Sequence, residues 1–319
     1  MAEWHRHNAT AMASEALSYC NGEYLPTAKV SIPLHDAGFV YGATVSDLLR
    51  TFQQRLYRLE DHISRFCCSA EQACIPLRHS AGELADICRR VVEHNAHLLP
   101  ATEEQIAVLL ATPGRAMAGP AAQASQDAAP TLIVYSYPLP WERYAPLLRG
   151  GAVLETSPIQ APGRQCLPPE IKHRSRLHWW LAQQRASPET LAVLCDADGF
   201  ITETSTANIL VVRHGCVFSP RQEAILKGVS RDVVRELCQA LEVPFLEADL
   251  RPEDCYGASE VWLSSTPYCL APVACWDGHR FPCPGPMYSR IVQRWSQEVG
   301  VDIVGQFLGA RTTCREGPG

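Results

Sequence analysis

Residues 191–220, LAVLCDADGFITETSTANILVVRHGCVFSP, are apolar runs broken by two short polar turns, Asp198-Gly199 and His214-Gly215. Such dipeptides supply the positive-φ backbone that tight hairpins need, so the stretch commits this part of the chain to three strands joined by two turns. The next segment, GVSRDVVRELCQAL, changes period. Val229, Val233, Val234, Leu237 and Leu241 fall on one helical stripe, with Ser230 as candidate cap and Asp232 in the first turn. Strand material running directly into an amphipathic helix predicts a mixed α and β architecture.

The first half has the same mixture. Asn21-Gly22 marks a turn, and LLRTFQQRLYRL alternates about Gln53-Gln54 as a hairpin. EDHISRFCCSAEQACI and AGELADICRRVVEHNAHL carry helical stripes, Ile63, Phe66, Cys67 and Ala70 on one, Leu84, Ile87, Cys88, Val91 and Val92 on the other. QIAVLLATPG and PTLIVYSYPLP read as buried strands, and the small, polar RAMAGPAAQASQDAAP between them reads as a surface loop. With 319 residues the chain suits two domains. The proline-rich YPLPWERYAPLLRGG puts an interdomain linker at 138–150, between a smaller α/β domain at 1–137 and a larger one at 151–319.

Composition removes several function classes. Hydrophobic residues make up 46%, so the chain is able to bury cores, and a net charge of −6 argues against general affinity for nucleic acid. The start lacks a secretory pattern, and no run of about 18 apolar residues occurs, so a membrane location is not expected and the cytoplasm is. Fourteen cysteines are scattered without a C-x-x-C pair, which favours buried thiols over zinc; the H-x-x-H of His94 and His97 lacks helical zinc spacing, and no metal is expected.

Four features bear chemistry, each with a plainer reading beside it. Lys172, in EIKHRSRLHWW, is read as opening a helix with Leu177, Trp180 and Leu181 on its apolar side. A half-buried lysine is a nucleophile toward aldehydes; otherwise it belongs to a solvated basic face. Glu203, inside FITETSTANILVV, is able to hold a protonated ring nitrogen, or it is an outward strand residue. LKGVSRD opens a helix whose first N–H groups suit an anion, as at any helix start. The hydroxyls of SST at 264–266 either add to that anion site or serve a turn. Together these meet the needs of one cofactor, pyridoxal 5'-phosphate.

Six ordered blocks, HDAGFVYGATV, YRLEDHISRF, EIKHRSRL, LCDADGFITETSTANILVV, ILKGVSRDVV and EVWLSSTPYCLAPV, give the chain a resemblance to the class IV aminotransferase family. These are the fold-type IV pyridoxal-phosphate enzymes, including branched-chain and D-amino-acid aminotransferases and aminodeoxychorismate lyase. The resemblance implies a two-domain mixed α/β (α+β) fold of the D-amino-acid aminotransferase type. It implies that Lys172 forms the internal aldimine and shuttles the proton, that Glu203 pairs with the pyridine nitrogen, and that Arg65, Val229, Ser230 and Thr266 hold the phosphate. The implied reaction is ping-pong transfer of an amino group between an amino acid or amine and a keto acid, in a homodimer. The alternatives are the lyase, which releases pyruvate and 4-aminobenzoate, and a non-enzymatic protein binding nucleic acid through the 172–178 cluster.

Substrate residues depart from the family pattern. Pro113 stands where the D-amino-acid and lyase branches carry a carboxylate-binding arginine, which leaves Arg50 and Arg115 as replacements and Tyr41 and Arg176 as further candidates. Leu177 replaces the tyrosine of the branched-chain enzymes, and Ser46-Asp47-Leu48 replaces their Phe-Glu-Gly.

Overall fold

A computed structural model describes residues 15–115 and 129–309. The 115–130 loop expected above therefore lies almost wholly outside the described residues. The chain divides into two units, one of residues up to Leu139 together with Ile171–Ser175, the other of Pro140–Glu170 and Arg176 onward.

The first unit holds a six-stranded sheet built from β1 (Leu17–Cys20), β2 (Glu23–Pro26), β3 (Val45–Phe52), β4 (Arg55–Leu56), β5 (Gln105–Thr112) and β6 (Thr131–Pro138). The order is β2-β1-β6-β5-β3-β4, antiparallel throughout. Gln53 and Gln54 both take positive φ, 51° and 61°, which is the backbone of the expected two-residue hairpin. Helices Leu59–Gln72 and Ala81–Ala96 cover one sheet face, where Val45, Leu49, Ala107, Leu109 and Val134 meet Ile63, Phe66, Leu84, Cys88 and Val91. The second helix opens with a capping box, Ser80 with Glu83, which satisfies the end groups a helix leaves orphaned.

The second unit is built on one larger sheet. β7 (Ala152–Thr156), β8 (Leu191–Cys195), β9 (Ile201–Thr204), β10 (Asn208–Arg213), β11 (Cys216–Pro220), β12 (Phe245–Ala248), β13 (Glu260–Ser265) and β14 (Cys269–Trp276) run in the order β12-β11-β10-β13-β14-β7-β8-β9. β9 then pairs back onto β10 through Glu203 opposite Asn208, so β10, β13, β14, β7, β8 and β9 close into a ring. Helices Val229–Ala240 and Pro286–Val299 pack against β13.

Several expectations change. The 191–220 stretch is four strands rather than three, because residues 205–207 break the run before β10. Within the stretch expected as a linker, residues 141–150 form a helix with Pro146 inside it; Trp141, Ala145 and Leu148 at near-helical spacing bury one face. Gly228, not Ser230, caps the 229–240 helix. Lys172 does not open a helix: helix Leu177–Arg185 begins five residues later, and Lys172 belongs to the first unit instead of the C-terminal domain expected to carry it. In that helix Trp179 and Ala182 face the core while Leu177, Trp180 and Leu181 are exposed, because Ala192 and Leu194 of β8 receive the other side.

Candidate active site

In the first unit, residues 171–175 run beside the start of β3. Ser46 N–H donates to the Lys172 carbonyl at 2.9 Å, Arg174 N–H donates to the Thr44 carbonyl at 2.8 Å, and Val45 lies opposite His173. Lys172 N–H donates to Ser69 Oγ at 3.1 Å, which ties the lysine's backbone to helix Leu59–Gln72 as well. The half-buried lysine is thus fixed by a sheet edge on one side and a helix on the other.

Three ionisable side chains meet between β3 and helix Leu59–Gln72. Asp47 is fully buried on β3; its carboxylate accepts from Arg65 Nε and Nη2, each at 2.8 Å, and from His62 Nδ1 at 2.7 Å. Burial pushes the Asp47 carboxyl up, but the adjacent Arg65 and His62 outweigh burial and hold it well below the usual carboxylate range. Burial in turn pushes the His62 imidazole below its ordinary value despite the attraction of Asp47, with Arg65 and Lys172 adding to the depression. His62 is therefore neutral, and the carboxylate fixes its one N–H on Nδ1. Arg65, the residue expected to meet a phosphate, is oriented by this bidentate pair.

In the second unit, ring closure sets the local arrangement. Glu203 and Asn208 are directly opposed, so their side chains share a face, and Asn208 Nδ2 donates to Glu203 Oε2 at 3.0 Å and to the Leu226 carbonyl at 3.0 Å. A Cβ added to Gly228 would run into Asn208 Oδ1, so only glycine lets the helix start lie against that amide. Val229 and Ser230, both buried, follow in the first turn, where N–H groups have no intrahelical acceptor. Arg231 pins this end from behind: Nε donates to Ser219 Oγ at 2.7 Å, and its other nitrogens reach Gln222 and Glu247.

Ser264, the β13 partner of Asn208, is 2% exposed, and its Oγ has no hydrogen-bond partner among the described residues. A buried unpaired hydroxyl is costly unless something supplies the bond. An orphan hydroxyl, a glycine-capped helix start and a carboxylate held by an amide fit a phosphorylated, ring-nitrogen cofactor. Thr266 is half-buried in the turn after β13.

The other candidates differ in their surroundings. Arg50 is 1% exposed, donates from Nε to the Thr51 carbonyl and stands over the Phe52 ring at 3.9 Å, which makes it part of the packing. Tyr41 is exposed at the end of the turn Ala37–Val40; Arg115 is exposed with its backbone bridged to Asp36; Arg176 caps helix Leu177–Arg185. Asp47, His62 and Asn208 were not expected at a site, whereas Ser264 belongs to the SST hydroxyls that were. The signal for Asp47 was present: strand alternation puts it on the buried face with Val45 and Leu49, and a carboxylate there requires a partner.

Among the described residues no helix is long and apolar enough to cross a membrane, and no three His, Cys, Asp or Glu side chains group to hold a metal ion.

Residues 44–276 match the family described as Amino-transferase class IV. A D-alanine aminotransferase of Staphylococcus aureus is 24% identical over 264 residues, 82% of this chain and 89% of that protein. A branched-chain amino acid aminotransferase of Escherichia coli has the same fold, with a TM-score of 0.81 at 22% identity over 95% of this chain and 98% of that one. So does the T.th. branched-chain amino acid aminotransferase complexed with N-(5'-phosphopyridoxyl)-L-glutamate, with a TM-score of 0.79 at 22% identity over 93% and 96%.

Proposed function

We infer the reaction from one premise, that the chain belongs to the class IV aminotransferase family: it moves an amino group between an amino donor and a keto acid. The relatives reported above are aminotransferases, which favours transamination over the lyase reaction. Class IV aminotransferases use pyridoxal 5'-phosphate, and we assign that cofactor here. When bound it supplies an electron sink for negative charge at the donor's Cα. Lys172 holds it through its amine and, once displaced by the donor, takes and returns the Cα proton. Glu203 keeps the ring nitrogen protonated, its carboxylate steadied by Asn208. Val229 and Ser230 offer N–H groups and Ser230 and Thr266 hydroxyls to the phosphate, and Arg65 offers its guanidinium.

The observation that carries this assignment is the orphan Ser264 Oγ across from Asn208, the residue that also faces Glu203 of β9. The test is the absorbance of purified protein loaded with the cofactor. The lysine-bound band is expected in the wild type, shifts when an amino donor is added and returns with a keto acid. Lys172→Ala is expected to lose the band; a band that survives this change removes Lys172 from the role.

A homodimer belongs to the same reading. What supports it is an apolar stretch in which Leu34, Phe39 and Tyr41 are 78%, 70% and 63% exposed, more than a soluble surface ordinarily leaves in water. A reducing, cytoplasmic location is supported by the cysteines of the described residues, which are free thiols.

A further inference from the structure

The segment 171–175 offers more than the lysine. Side chains alternate across an extended pair, and directly opposed residues share a face. His173 therefore shares a face with Val45, which lies in the core beneath the helices together with Ile171. Lys172 and Arg174 project from the opposite face, the one that carries Ser46. Two residues along a strand are separated by about 7 Å, so these long side chains are able to converge on one small molecule.

Arg174 is fixed in an unusual way for an exposed arginine. Its Nε donates to Ser46 Oγ at 2.7 Å, and Ser46 is only 4% exposed. No acidic side chain among the described residues pairs with it. A neutral hydroxyl anchors the guanidinium without cancelling its charge, and four of the five N–H donors that arginine carries remain on the two Nη atoms. The side chain thereby loses freedom on folding rather than on meeting a ligand, which lowers the cost of binding. An ordinary solvated arginine has no such anchor. Arg50 shares the face of Ser46 by strand alternation, yet it is enclosed and committed to Thr51 and Phe52.

We propose that Arg174, anchored by Ser46, binds a carboxylate of the amino donor and of the keto acid. It is a specificity-determining residue that makes carboxylates rather than simple amines the substrates. This rests on Lys172 being the residue at which the amino group is exchanged. The planar fork suits a two-point grip on a carboxylate, and it stands beside Lys172 because the amino-bearing carbon and the carboxylate of an α-amino acid are directly bonded.

The test uses the cofactor-loaded enzyme with propionate as a non-reacting carboxylate, D- and L-alanine and glutamate as donors, and isopropylamine, in which a methyl replaces alanine's carboxylate. Propionate binding is measured by calorimetry. Arg174→Gln is expected to weaken propionate about tenfold to a hundredfold, the range of a lost charged hydrogen bond, and to raise KM for the reactive alanine enantiomer comparably while isopropylamine is not weakened. Glutamate, with two carboxylates, separates the sources: a loss equal to that for alanine points to the α-carboxylate, a larger loss to the distal one. Arg174→Lys keeps the charge without the anchored fork and is expected to recover part of the affinity; Ser46→Ala is expected to lose a smaller part. Propionate binding within twofold of wild type in Arg174→Gln overturns the assignment, as do equal losses for alanine and isopropylamine. Because propionate binding needs no turnover, it separates failure of Arg174 from failure of Lys172, which the absorbance of Lys172→Ala reads independently.

Discussion

Replacing Asp47 by asparagine keeps the side chain's shape and removes one negative charge from the buried cluster of the first unit. The carboxylate is 0% exposed; it accepts both Arg65 bonds at 2.8 Å, the His62 bond at 2.7 Å, and its own neighbour's N–H, from Leu48, at 2.8 Å. An amide oxygen keeps the bonds at one position only, the three at Oδ1 or the one at Oδ2. The amide NH2, however, meets guanidinium or backbone N–H where an acceptor stood. Arg65, with a side chain 9% exposed, loses the carboxylate that holds both its Nε and Nη2. Breaking a buried pair from one side costs about 3–5 kcal/mol, and no cavity term adds to it because the volume is unchanged. For a unit of this size each kcal/mol lowers the melting midpoint by about 2–4 °C, so a fall of roughly 10 °C is expected. Urea unfolding followed by circular dichroism measures the loss, and hydrogen exchange over residues 45–70 tests whether it is local. Adding Arg65→Gln to Asp47→Asn removes the guanidinium charge as well and is expected to recover part of the stability. A loss below about 1 kcal/mol, or a double variant as weak as the sum of the two singles, would refute the reasoning that the charges hold each other in place.

Further outcomes follow from the same geometry. His62 has a folded pKa below 6.5, so as pH falls through that value the unfolded chain takes up a proton that the folded chain refuses, and stability drops. Asp47, depressed below 3.8, adds a second loss at lower pH, as the pH falls toward its folded pKa. Melting midpoints between pH 7 and 5 are expected to fall less steeply for His62→Gln than for wild type; parallel curves would remove His62 from the account. Gly228→Ala drives a methyl into Asn208, loosening its bonds to Glu203 and Leu226, and is expected to weaken pyridoxal 5'-phosphate by about tenfold or more in an absorbance titration. Unchanged affinity there would argue against the helix start as the phosphate cup. Leu34→Glu with Phe39→Glu is expected to yield a monomer in sedimentation velocity, and a dimer of wild-type strength would move the interface elsewhere.

Much of the secondary structure was legible because its causes are local. The helices at 59–72, 81–96 and 229–240 carry apolar residues at helical spacing, and the glutamine pair at 53–54 turns tightly between alternating runs. The candidate site was legible in part, through residue types whose chemistry is unusual in combination: Lys172, Glu203, the glycine before Val229, and the hydroxyls at 264–266. Near Lys172 local reasoning failed. Leu177, Trp180 and Leu181 make as good a stripe as Trp179 and Ala182, and only the strand waiting at Ala192 and Leu194 decides which side is buried.

The sequence by itself determined the class of element at most positions and the type of cofactor the chain is suited to, because periodicity, capping and side-chain reactivity are properties of short stretches. Tertiary structure alone decided that 171–175 lies against β3, that Asp47 meets Arg65 and His62, that Asn208 faces Glu203 where the ring closes, and that Arg174 rests on Ser46 while Arg50 is enclosed. Those pairs are 5 to 128 positions apart in the chain, and such contacts follow from strand register and from which face each layer buries. Register is a property of the assembled sheet, and no single stretch encodes it.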